Sequence, residues 1–160
     1  MTTKEQMDVV NNALDEYEST IGLPSLKSPC EKQELETYFS MNRDQIEKLS
    51  AEDCGQIAYR LSQFAFYIQR LHNREQARLT WANNKLSDSI SSEINSFDKY
   101  MKHEMKVSLL KKTNENVKAV ADIASYAEQR IQRLNFVASS IKSLADVLIY
   151  NKRSKYVQSN

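Results

Sequence analysis

The chain has 160 residues, 41% of them hydrophobic and 27% charged, with a formal net charge of +1. This balance fits one folded domain with a core. It excludes a disordered chain, and no apolar run approaches the roughly 18 residues of a membrane span. Two glycines and two prolines are too few for sheets with tight turns, so the expected class is all-α.

The near-neutral total hides an asymmetry. Residues 1–53 carry 12 acids and 5 bases, whereas residues 54–160 carry 9 acids and 17 bases. A basic body behind an acidic leader points to an anionic partner for the body, although solvated Lys and Arg on helix faces account for it equally well. No signal peptide opens the sequence. Cys30 and Cys54 are therefore expected to be free thiols in a reducing cytoplasm.

Residues 4–18 read as a short amphipathic helix with Met7, Val10, Leu14 and Tyr17 on one side. The stretch 21–32 holds Gly22, Pro24 and Pro29 and reads as a linker. The expected division is thus an acidic leader and linker over 1–32 and a helical body over 33–160. In 34–49 the apolar anchors are Leu35, Tyr38, Phe39, Ile46 and Leu49. Ser50 with Asp53 three residues on has the form of a capping box. It opens a long helix whose apolar track runs Cys54, Ile57, Leu61, Phe64, Ala65, Ile68, Leu71, Leu79, Ala82, Leu86 and Ile90, with Glu75 interrupting it. A turn is expected at residues 95–98.

The longest pattern lies beyond it. Thr113, Val117, Val120, Ala124, Ala127, Ile131, Leu134, Ala138, Ile141, Ala145 and Leu148 alternate steps of four and three. That spacing is the seam of a helix packed along its length on others. Helices near 51–94 and 99–152 predict a long antiparallel hairpin with a short N-terminal helix. Stripes of this length want copies of the chain to cover them, so a homo-oligomer is expected, with Val117, Val120, Ile131, Leu134, Ile141 and Leu148 as its core and interface residues.

Signs of enzymatic chemistry are weak. No Gly-rich phosphate loop exists, and His72 and His103 have no partners at metal-ligand spacing. No cofactor, metal or catalytic residue is expected. Signs of binding are stronger. Arg70, Arg74 and Arg78 sit at i, i+4 and i+8 on one face, bordered by Tyr67, Trp81 and Lys85. Like charges so spaced repel, so helix stability does not explain them. Cations with flat aromatics suit a single nucleic-acid strand, with phosphates on the cations and bases on the rings. The competing reading packs Trp81 and Tyr67 on a neighbouring subunit. A second basic run holds Lys99, Lys102, Lys106, Lys111, Lys112 and Lys118 against Glu104 and Glu115. It reads as a second strand contact or as a solvated turn.

The residues Asp98, Tyr100, Lys102, Glu104, Met105, Lys106 and Leu109 resemble the segment that opens the last long helix of the phage recombination mediator UvsY family. Ala77-Arg78-Leu79, followed by Thr80 and Trp81, is similar to that family's Lys-Ala-Arg-Leu-Asp-aromatic motif, with Gln76 standing where the motif has lysine. The similarity spans roughly residues 45–155. It implies a non-enzymatic, oligomeric helical protein in the cytoplasm of an infected host cell. Such a protein binds single-stranded DNA and helps a phage recombinase displace the single-strand-binding protein, in DNA recombination and repair. The alternatives are a phage structural or assembly protein, or a helical adaptor, making only protein contacts.

Overall fold

The structure, a computed structural model, describes residues 1–159. Among them every regular element is helical and no strand occurs. The helices are α1 (Thr3–Thr20), α2 (Lys32–Ser40), α3 (Arg43–Lys48), α4 (Ala51–Glu93), α5 (His103–Thr113), α6 (Glu115–Leu134) and α7 (Val137–Gln158), with a 3-10 turn at Ile94–Ser96. No helix among the described residues is long and apolar enough to cross a membrane.

Local chemistry sets most boundaries. Thr2 and Glu5 close a reciprocal capping box at the start of α1, with Glu5 N–H donating to Thr2 Oγ1 at 3.2 Å and Thr2 N–H to Glu5 Oε2 at 2.6 Å. Its other end is a Schellman turn. Gly22 takes φ of +89°, Leu23 N–H donates to Glu18 O and Gly22 N–H to Ser19 O. Ser50 Oγ accepts from Asp53 N–H at 3.0 Å, as the sequence predicts for the start of α4.

The chain divides into two compact units, Met1–Ser25 with His72–Arg133, and Leu26–Leu71 with Leu134–Asn160. The acidic leader is a packed part of the first unit rather than an appendage. Its half-buried face holds Met7, Val10 and Leu14, while Tyr17, expected on that face, is 64% exposed.

In the first unit Ala82 of α4 is buried with Val120 and Ala124 of α6, and Leu79, Trp81, Leu86 and Ile123 pack around them. Glu75 interrupts the apolar track for a reason. Its buried carboxylate accepts from Arg78 Nη1 at 2.5 Å, and Arg130 Nη1 lies 3.6 Å away. In the second unit Cys54, Leu61, Ala65 and Ile68 of α4 form a core with Ile141, Ala145 and Leu148 of α7 and Ile46 of α3. Arg60 makes a double hydrogen bond to Glu34, at 2.7 and 2.8 Å, and ties α2 to α4. Lys155 Nζ donates to the carbonyls of Glu47 and Leu49 at the end of α3.

The expected single helix over 99–152 is three helices. Asn114 leaves helical geometry with φ −100° and ψ 113°, and its Oδ1 accepts from Asn116 and Val117 N–H, capping α6. The second break is Asn135-Phe136, where Phe136 adopts the left-handed region with φ +63°. The seam survives both breaks in phase. Val117, Val120, Ala124, Ala127, Ile141, Ala145 and Leu148 are all buried, and Ile131, Leu134 and Ala138 are half-buried. Val117, Val120, Ile141 and Leu148 are thus covered inside one copy of the chain. They are core residues, and no second subunit is needed to bury them.

Candidate nucleic-acid interface

The arginine ridge sits on α4, as its spacing requires, but not on a free face. Arg74 is 9% exposed. Its Nη2 donates to Glu18 Oε2 at 2.7 Å and its Nε to Glu18 Oε1 at 3.3 Å, and Nη2 also donates to Asp15 Oδ1. The Glu18 carboxylate raises the Arg74 pKa, against the lowering effect of burial, and Asp15 adds to it. Arg78 Nε donates to Asn11 Oδ1 at 3.0 Å while its Nη1 holds Glu75. Asn11, Asp15 and Glu18 therefore meet Arg78 and Arg74 in reverse chain order, as two helices lying antiparallel. Arg70 is buried as well, with its guanidinium 5.9 Å above the centre of the Phe66 ring. The expected exposed strand site at Arg70, Arg74 and Arg78 is thereby corrected, because these side chains are occupied within the chain. Trp81 is half-buried against the Ala82 cluster, so its ring is spent on packing rather than presented for stacking. Lys85 beside it is also half-buried.

The pairing was not visible in the sequence because Asp15 and Glu18 lie 59 and 56 residues upstream of Arg74. A signal did exist. The leader's polar residues Asn11, Asp15 and Glu18 fall at i, i+4 and i+7 and so share one helical face, as the arginines do at i, i+4 and i+8.

The lysine run has the opposite environment. Lys99, Lys102, Lys111 and Lys112 are exposed and Lys106 is half-buried. Among the described residues none of these five pairs with a carboxylate. Lys102 stands at the N-cap of α5, and Lys111 and Lys112 occupy its last turn, where cations suit the helix dipole. Tyr100 is 84% exposed, and Lys99 Nζ lies 5.1 Å from the centre of its ring. Met105 and Leu109 add exposed apolar surface on the same helix. An unpaired cationic strip with an exposed ring offers what a flexible polyanion with flat bases binds.

The remaining polar clusters look structural. Arg60 and, after it, the Tyr38 hydroxyl hold the Glu34 carboxyl down at about 2, and Tyr38 Oη donates to Glu34 Oε1 at 2.9 Å. Burial, then its bond to Glu34, pushes the Tyr38 phenol up. Burial pushes the Cys30 thiol up, with Arg60 opposing. Cys30 and Cys54 are both free and buried. Among the described residues no group of three His, Cys, Asp or Glu gathers where a metal ion would fit.

Comparison of the chain with protein-family models, with curated proteins and with solved structures finds no match.

Proposed function

We propose that this chain is a non-enzymatic, single-stranded-DNA-binding recombination mediator of the kind the UvsY resemblance implies, working in the cytoplasm of an infected host cell. The observation that carries the reading is the lysine run Lys99–Lys112 with Tyr100, exposed except for the half-buried Lys106 and free of carboxylate partners among the described residues. In this reading the run and not the arginine ridge is the primary strand contact. Its partners besides DNA are the phage recombinase and the single-strand-binding protein.

Homo-oligomerisation belongs to the same proposal. Phe136 (83% exposed) and Val147 (49%) leave apolar surface that copies of the chain would cover. An antiparallel pairing within each unit belongs to the same proposal, supported in the first by Glu75 near Arg130 and Ala82 against Val120 and Ala124, and in the second by Gly55 near Lys152 and Ala65 sharing a groove with Ala138.

The test is fluorescence anisotropy of labelled oligo-dT at low salt, against duplex of equal length. The expected result is tighter binding of the single strand, lost in a Lys99/Lys102/Lys106→Ala triple variant that keeps its helical circular dichroism. Equal binding by that variant would remove the lysine run from the site. No binding by the parent chain would favour the assembly-protein alternative.

A further inference from the structure

A groove in the second unit lies outside every residue the sequence reading selected. It is formed between the first turns of α4 and the last turns of α7, with a volume of about 510 Å³. Gly55, Tyr59 and Ser62 line one side, and Lys152, Arg153 and Tyr156 the other. No carboxylate lines it, and neither Lys152 nor Arg153 has an ion-pair partner among the described residues.

Gly55 is the informative residue. A glycine one turn into a helix costs stability relative to alanine. Here a Cβ would stand 2.8 Å from Lys152 Nζ, 3.4 Å from its Cδ and 3.5 Å from its Cε. The missing side chain is what lets the lysine lie across α4 and places its ammonium at the groove. Tyr59 and Tyr156 are 65% and 56% exposed, unusually open for rings that line a groove. Gln63 Nε2 donates to Tyr59 Oη at 3.2 Å and fixes that ring's outer end.

We propose that this groove binds a nucleoside phosphate, with the phosphate on Lys152 and Arg153 and the base against Tyr59 and Tyr156. Two cations beside two open rings, with no acid to repel the anion, match that chemistry and no simpler anion needs the rings. The same moiety comes from a free nucleotide or from one residue of a nucleic-acid strand. The site uses none of the residues of the Lys99–Lys112 run, so it stands or falls separately from the function proposed above.

The experiment is isothermal titration of the full chain with ATP and dTTP in one arm and with oligo-dT in the other. Three variants accompany the parent: Gly55→Ala, Arg153→Ala and Tyr156→Ala. Gly55→Ala is the decisive one, because alanine is the better helix former and its methyl displaces only the far end of a flexible side chain. Its thermal midpoint should hold or rise while affinity falls at least tenfold. Arg153→Ala should weaken binding and flatten its salt dependence, whereas Tyr156→Ala should weaken binding at unchanged salt dependence, since stacking releases no counterions. Saturable binding of ATP or dTTP that these variants lose establishes a free-nucleotide site. Loss confined to oligo-dT, measured with the lysine run intact, establishes a strand seat. Absence of saturable binding in both arms, or binding that all three variants leave unchanged, overturns the proposal.

Discussion

Glu18→Gln should cost about 1.5–3 kcal/mol of stability, the range for a hydrogen bond to a charged group out of water's reach. The environment sets that figure. The Glu18 side chain is 16% exposed and Arg74 10%, and two N–H groups of one guanidinium address the two Glu18 oxygens at 2.7 and 3.3 Å. Glutamine keeps one acceptor and turns the other into a donor facing a cation. Asp15→Asn removes a charge from the same guanidinium, but the Asp15 side chain is 59% exposed. Solvent screening holds its effect to about 1 kcal/mol or less. Arg74→Ala should exceed both, because it takes the shared cation from Glu18 and Asp15 together. Urea denaturation followed by circular dichroism measures all three, and a double-mutant cycle isolates the Glu18–Arg74 coupling. Equal, small effects from Glu18→Gln and Asp15→Asn would refute the reasoning, for they would mean that α1 does not seat on α4 as described. The same seating predicts a binding effect. An Asp15→Asn/Glu18→Gln chain uncovers Arg74 and should bind oligo-dT more tightly than the parent.

Three further outcomes follow from the local structure. Asn114→Ala removes the side chain that caps α6 and should cost about 1 kcal/mol by denaturant titration. Phe136→Gly should stabilise by up to about 1 kcal/mol, since the residue is 83% exposed and its left-handed backbone disfavours any side chain; a loss of stability would show that its ring, not its backbone, decides the position. Glu34 has its carboxyl held at about 2 by Arg60 against an ordinary 4.5. A lowered pKa in the folded state contributes stability that is complete above the unfolded value and lost as pH falls through the folded one. The thermal midpoint should therefore drop between about pH 4.5 and 2, and a Glu34→Gln chain should show less of that drop.

The helical class and most buried positions were legible in the sequence, because periodicity reports which face of a segment is apolar. Val117, Val120, Ala124, Ile141 and Leu148 are buried where the four-three spacing put them. Periodicity does not report continuity. Asn114 and Phe136 break the helix while the flanking segments keep one phase, so the seam looked like a single rod. Asn114 carried a readable capping signal. Phe136 carried none, since a left-handed backbone is rare for an aromatic. The arginine ridge is legible in the sequence but its surroundings are not. A ridge of like charges looks solvent-facing until its acidic partner is located, and that partner lies in a leader separated from α4 by a proline-containing segment. The role of Gly55 is not legible in the sequence because its meaning lies in Lys152, 97 residues downstream, whose ammonium fills the space that a side chain would take.

The central claim is that the lysine run on and before α5 binds single-stranded DNA through its phosphates. The most direct test is the slope of log affinity against log salt for oligo-dT, measured for the parent and for single Lys99→Ala, Lys102→Ala and Lys111→Ala chains. The account predicts a steep negative slope for the parent that becomes shallower by about 0.7 for each phosphate contact removed. Affinity that does not respond to salt, or a parent slope retained by all three variants, would contradict it.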